Sequence, residues 1–301
     1  PVDPRLRRKL IELLAPPFPT GDNELDHESA RLLSMLEAEH EGLLEAIAGK
    51  WTAKSSPVDD VHYLTAMTHL PGRRSPQVTA ATAKALLRLH PKLEAQAMVL
   101  DRNWPQHVGE AFDRLSELDP KLPGAVISDP DFAHIEHTLF ALRMGGGLQQ
   151  AAARKFLKAG SWSRQLVDLA GVLPEKEILP LLRKQFDNPT LRERIALVLA
   201  HRGDRHDQPR LVAALDSRDA KVAMELAKAL EKMKAPATPS DLLATVRALQ
   251  RHQQTHETSK ALIDLLRHWS GADLQTLSQA TDWFSKSHPQ EAASLRAESA
   301  P

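Results

Sequence analysis

Between residues 174 and 269 apolar positions recur with a helical period, and the recurrence is itself repeated. In "NPTLRERIALVLA" Leu191, Ile195, Val198 and Leu199 fall at i, i+4, i+7 and i+8, one stripe of a helix. In "RDAKVAMELAKALEKM" Val222, Leu226, Ala229, Leu230 and Met233 draw the same stripe, and a third appears in "SKALIDLLRHW". Each is preceded by a shorter helical segment, which gives three helix pairs near 174–201, 207–233 and 238–269, starting about 31 to 33 residues apart. Capping signals mark the starts. Thr190 and Glu193 have capping-box spacing, Asp219 is placed as an N-cap, and Thr238, Pro239 and Asp241 read as cap, first helical residue and capping carboxylate. A hairpin of this kind cannot bury its apolar stripe alone, so neighbours stack and share one continuous core.

The first half of the chain is helical but less regular. Pro and Gly punctuation in "APPFPTGDN", "LPGRRSP" and "LDPKLPG" separates expected helices at 4–14, 23–40, 57–70, 76–90, 106–118 and 130–143. Ser56-Pro57 and Ser75-Pro76 each read as a cap followed by a first-turn proline. The clearest break is Gly145-Gly146-Gly147. The expected architecture is therefore all-α, an α-solenoid of stacked antiparallel helix pairs of the HEAT-like or armadillo type. Its irregular N-terminal sub-array covers 1–144, a glycine loop 145–147, and the regular repeats with a helical cap 148–301.

Composition narrows the chemistry. Aromatics are only 4 % of the 301 residues and Tyr63 is the single tyrosine, which suits packed helices better than strands. Lys and Arg equal Asp and Glu at 39 each, so no global field recruits polyanions, and nucleic acid is not the expected partner. The absence of cysteine removes disulfides, thiolate metal sites, thiol nucleophiles and a Cys-x-x-Cys-His haem attachment. No apolar run reaches the roughly 18 to 20 residues that span a bilayer.

Few residues carry candidate chemistry. The three glycines lack the Lys-Ser/Thr of a phosphate loop and are read as a turn. "HIEH" puts His134 and His137 at i, i+3, a spacing that could share a metal; two imidazoles do not complete a site, so these are candidate ligands only and no cofactor is expected. "HRGDRHD" is read as a solvated turn with Asp207 capping the next helix. In "DRNWPQH" Arg102 and Trp104 precede Pro105; both types are favoured at binding hot spots, although a turn whose Trp locks two hairpins together is the stronger reading. No Gly-x-Ser-x-Gly elbow or His-Glu-x-x-His occurs.

The segments "PPFPTGDNELDHESARLL", "KSSPVDDVHYL", "LEAQAMVLDRNWPQH" and "DWFSKSHPQEAASL" together resemble the helical-repeat region of large multidomain proteins of planctomycete-type bacteria, in which a sugar-dehydrogenase-like propeller, HEAT-type repeats and a C-terminal c-type cytochrome share one chain. The resemblance implies a periplasmic or extracellular piece of a longer protein, acting as spacer, scaffold or docking surface. Haem and dehydrogenase chemistry do not carry over, because no cysteine and no strand-rich region is present.

The leading expectation is a non-catalytic scaffold or protein-interaction module, its partners another protein or flanking domains of the same parent, with Arg102 and Trp104 as the first surface to inspect. A HEAT-like nucleic-acid-binding or DNA-repair protein is the alternative; it would use Arg192, Arg194, Arg202, Arg205 and Arg210 with Trp162 upstream. A metal-dependent enzyme built on His134 and His137 is the third.

Overall fold

A computed structural model describes residues 3–132 and 134–297. All regular secondary structure among the described residues is helical, with no strand, and within each of two units the helices pack on neighbours in sequence order, as in a solenoid-like fold. The chain divides into two compact units, Pro1–Ser161 and Trp162–Pro301. Unit 1 contains α1 (Pro4–Leu14), α2 (Asn23–Met35), α3 (Leu43–Ala48), α4 (Pro57–Met67), α5 (Pro76–Ala95), α6 (Trp104–Leu118), α7 (Leu122–Ser128), α8 (Thr138–Arg143) and α9 (Gly146–Ala159). Unit 2 contains α10 (Arg164–Ala170), α11 (Glu175–Gln185), α12 (Arg192–Arg202), α13 (Gln208–Ala213), α14 (Ala220–Met233), α15 (Pro239–Arg251), α16 (His256–Ser270), α17 (Leu277–Ser287) and α18 (Pro289–Ala297). No helix among the described residues is long and apolar enough to cross a membrane.

In unit 2 the three expected pairs are α11/α12, α13/α14 and α15/α16, followed by α17 and α18. The stripes face inward: Ile195, Leu199, Leu226, Leu230, Leu262 and Leu265 are all buried. Asp219 caps α14 by accepting from the Lys221 and Val222 amides, and Thr238 with Asp241 closes a full capping box on α15. The Thr190 cap does not form. Helix α12 starts one residue later behind Leu191; the Thr190 hydroxyl donates to Asn188 Oδ1, and Glu193 instead accepts from Ser217. Asp207 does not cap α13 with its side chain and does not sit in a solvated turn: it is the N3 partner of Asp204 in a capping box on the preceding 3-10 turn and is wholly buried beneath Arg183.

The expected boundary at 145–147 moves to Ser161/Trp162, and the reason is local. The glycines open α9 rather than close a sub-array, with Gly146 at φ +55° as its first residue. Helix α9 then joins unit 1: Lys155 Nζ donates to the carbonyls of Ile127 and Asp129, both at 3.0 Å, and Phe156 meets Phe132 edge-on at 5.0 Å. The terminating residue is Gly160, left-handed at φ +78°, a conformation that favours glycine.

Two devices recur within the units. Basic side chains close helix C-termini contributed by other elements of the stack, satisfying carbonyls that a helix end leaves open. Arg7 reaches Leu36 and Glu37, Arg74 reaches Leu70, Arg202 reaches Gly171 and Leu173, and Lys155 acts as above. Buried carboxylates are likewise matched: Asp26 to Lys50 at 2.8 Å, Asp60 to Lys92, Asp207 to Arg183. Burial alone would raise the Asp26 carboxyl, but hydrogen bonds from Lys50 and Thr20 outweigh it and hold the group below the usual carboxylate range. These pairings account for most of the buried charge, and they make the exceptions informative.

Candidate functional site

Helix α5 carries Pro91 in its interior. Proline has no N–H, so the carbonyl of Leu87, four residues back, has no intrahelical donor. His137 supplies one. Its Nε2 lies 2.8 Å from Leu87 O, and since a carbonyl only accepts, Nε2 carries the proton. The ring is 2 % exposed, and Nδ1 is left as a buried acceptor with no hydrogen-bond partner. Burial first, and the neighbouring His134 and His90 with it, push the imidazole down to about 4 against the partial opposition of the Leu87 bond. At neutral pH His137 is therefore uncharged.

His137 does not share a helix face with His134. The expected helix over 130–143 is replaced by a 3-10 turn, Ile135–His137, leading into the short α8, and His134 stands before the turn as its N-cap with extended backbone. Its Nδ1 accepts from the Glu136 amide at 3.3 Å, and its Nε2 points to Glu94 Oε2 at 3.7 Å. Glu94 Oε1 is in turn 3.4 Å from His90 Nε2, one helical turn away on α5. The structure thus gathers polar atoms of His134, His90 and Glu94, while the His134 ring also lies 5.7 Å from that of His137 without sharing a ligand position with it. In the sequence the local sign of this is the i, i+4 spacing of His90 and Glu94.

The same wall is met by the other two candidates. A cavity of about 260 Å3 lies in unit 1 between α5, the residues before α6, α6 itself and the turn into α8. Its apolar side is Leu86, Leu89, Val108 and Phe140; its polar side is His90, Asp101, Arg102, Glu136 and His137. Trp104, half-buried as the first residue of α6, forms one side of this cavity and also borders a smaller one of about 80 Å3 against Leu64 and Ala111. Asp101 does not pair with Arg102; its carboxylate caps the turn by accepting from the Asn103 amide at 2.5 Å. Arg102 is exposed and makes no hydrogen bond or ion pair with any described residue. Arg102, Trp104 and His137, singled out in separate stretches of the chain, thus line one cleft, and His134 stands at its edge beside His90.

No family model, curated protein or solved structure matches this chain.

The arginine cluster of unit 2 is arranged differently. Arg194 pairs with Asp168 at 2.9 Å, Arg192 lies 3.9 Å from Asp216, Arg202 closes the end of α10 through Gly171 and Leu173, and Arg210 reaches Asp207 at 3.5 Å. Four of the five arginines are committed to partners within unit 2, leaving Arg205 exposed. This is weak support for a free basic stripe of the kind that tracks a phosphate backbone.

Proposed function

We propose that the chain is a non-catalytic helical-repeat interaction module and that the Trp104 cleft of unit 1 is its recognition site. The occupant is an apolar side chain of a partner protein, or of a flanking domain of the same parent, lying beside a carboxylate. The observation that carries this is Arg102, exposed and without a partner among the described residues, at the rim of a cavity with one apolar side and one polar side, bordered by a half-buried Trp104. Small-molecule and cofactor sites run to roughly 300–1,000 Å3, so a cavity of about 260 Å3 suits a single large side chain better than a cofactor. Trp and Arg together supply rigid apolar contact and a fixed charge, the pair of properties that concentrates binding energy in interfaces. A docking role agrees with the spacer or scaffold part that the sequence resemblance implies.

The test compares two probes by calorimetry, N-acetyl-L-phenylalanine and its carboxamide. The acid should bind about fivefold more tightly, the worth of about 1 kcal/mol for one exposed charged hydrogen bond. In Arg102→Met the difference should vanish while the amide binds as before, and Trp104→Ala should weaken both. Equal binding of acid and amide to the parent protein contradicts the reading, as does a preference that survives Arg102→Met.

A further inference from the structure

We infer that His90, Glu94 and His134 form a binding site for a divalent transition-metal ion at the rim of the unit 1 cleft. One ligand atom from each, two imidazole nitrogens and a carboxylate oxygen, all lie within 4.8 Å of one another. His90 Nε2 to Glu94 Oε1 is 3.4 Å and His134 Nε2 to Glu94 Oε2 is 3.7 Å. Both separations exceed a good hydrogen bond. The two contacts fall on different oxygens of Glu94, so a tetrahedral site, whose edge is about 3.4 Å when metal–ligand bonds are about 2.0 to 2.1 Å, requires the three side chains to close around one of them.

Glu94 is exposed, and among the described residues the two imidazoles are the only basic groups within 4 Å of its carboxylate. A cation placed between the three groups would neutralise the carboxylate and take the two nitrogen lone pairs at once. The ligand set is two nitrogens and one oxygen, which suits borderline ions such as Zn2+ and Co2+ better than Ca2+ or Mg2+, whose ligands are oxygens. Three protein ligands leave a fourth position for water or a ligand, and His90 also lines the cavity.

Binding has a local consequence. The His134 Nδ1 now accepts from the Glu136 amide, so in the neutral ring Nε2 holds the proton. Coordination through Nε2 moves that proton to Nδ1, with no net change in protonation, and the 3.3 Å cap bond from Glu136 is given up. Metal binding at this site should therefore be visible at the Glu136 amide, which no ligand atom belongs to.

The site is independent of Arg102 and Trp104, so it stands or falls apart from the proposed docking function. The experiment is a Co2+ titration of the full chain without a histidine tag, followed by displacement with Zn2+. One equivalent of Co2+ should give the visible d–d bands of a four-coordinate ion, Zn2+ should abolish them, and the Glu136 amide resonance should shift with the same saturation. His90→Ala, His134→Ala and Glu94→Gln should each weaken binding by more than the roughly 10- to 100-fold lost when only an outer-shell partner is removed. His107→Ala, an exposed histidine away from the cluster, should leave it unchanged. The three ligand positions are half-buried or exposed, so the variants should keep the parent's helical circular dichroism. Absence of four-coordinate bands, or bands that persist in the histidine variants, overturns the proposal.

Discussion

Acidification should weaken the fold through His137 in a defined window. The ring's value lies near 4 in the folded chain against 6.5 when unfolded, so the folded state favours the neutral form. A depressed value contributes stability that is whole above the unfolded value and is lost as pH falls from 6.5 towards 4. The 2.5-unit gap between those two values corresponds to about 3 kcal/mol in the limit, of which about 2 kcal/mol should be gone by pH 5. His62, also held below the ordinary value by burial, titrates in the same acid range, so the His137 share is read as the difference between the parent and a His137 variant. The assay is urea unfolding at pH 7.5 and pH 5 of the parent chain and of His137→Gln, whose amide can still donate to Leu87 O but does not titrate. The parent should lose about 2 kcal/mol more than the variant between the two conditions. An equal loss in both proteins would refute the buried neutral histidine, and so would titration of the assigned His137 imidazole near 6.5 by NMR.

Three further outcomes follow from unit 2. Arg183→Met removes the bidentate partner of the wholly buried Asp207 and leaves Arg210 at 3.5 Å as its remaining cation; chemical unfolding should register a loss of about 3 kcal/mol, near the low end for a broken buried pair. Gly203→Ala would put a Cβ 2.5 Å from Leu199 O and 2.6 Å from Asp207 Oδ2, so a shift of α12 against the Asp207 turn should cost about 1 to 3 kcal/mol in the same measurement. Asp219→Ala deletes the cap of α14 and should cost about 1 kcal/mol, with Asp219→Asn close to neutral.

Much of the helical framework was legible because its punctuation is local. The Ser-Pro starts of α4 and α5, the Asp219 cap and the Thr238–Asp241 box need only a few neighbouring residues to act, and all four form as read. The helices not expected are α3 and α7, 6 and 7 residues long and too short to display an apolar period before packing makes them helical, and α9 and α10, which fall between 143 and 174, where no helix is expected. The expected helix over 130–143 fails because Phe132, fully buried, packs on Phe156 of α9, a contact that no window around it contains. Arg102 and Trp104 stand out by residue type, and His134 and His137 by their i, i+3 spacing. Their convergence was not legible, since it depends on Pro91 opening the Leu87 carbonyl and on His137, 50 residues from Leu87, closing it.

Five tryptophans, Trp51, Trp104, Trp162, Trp269 and Trp283, give one indole N–H signal each and sample both units. The decisive measurement is a 15N–1H correlation spectrum of the full chain titrated with N-acetyl-L-phenylalanine. A recognition cleft at Trp104 predicts that this indole shifts and saturates while the other four stay in place, and that Arg102→Met weakens the response. A saturating shift at another indole with Trp104 unmoved, or no saturable shift at all, would contradict it.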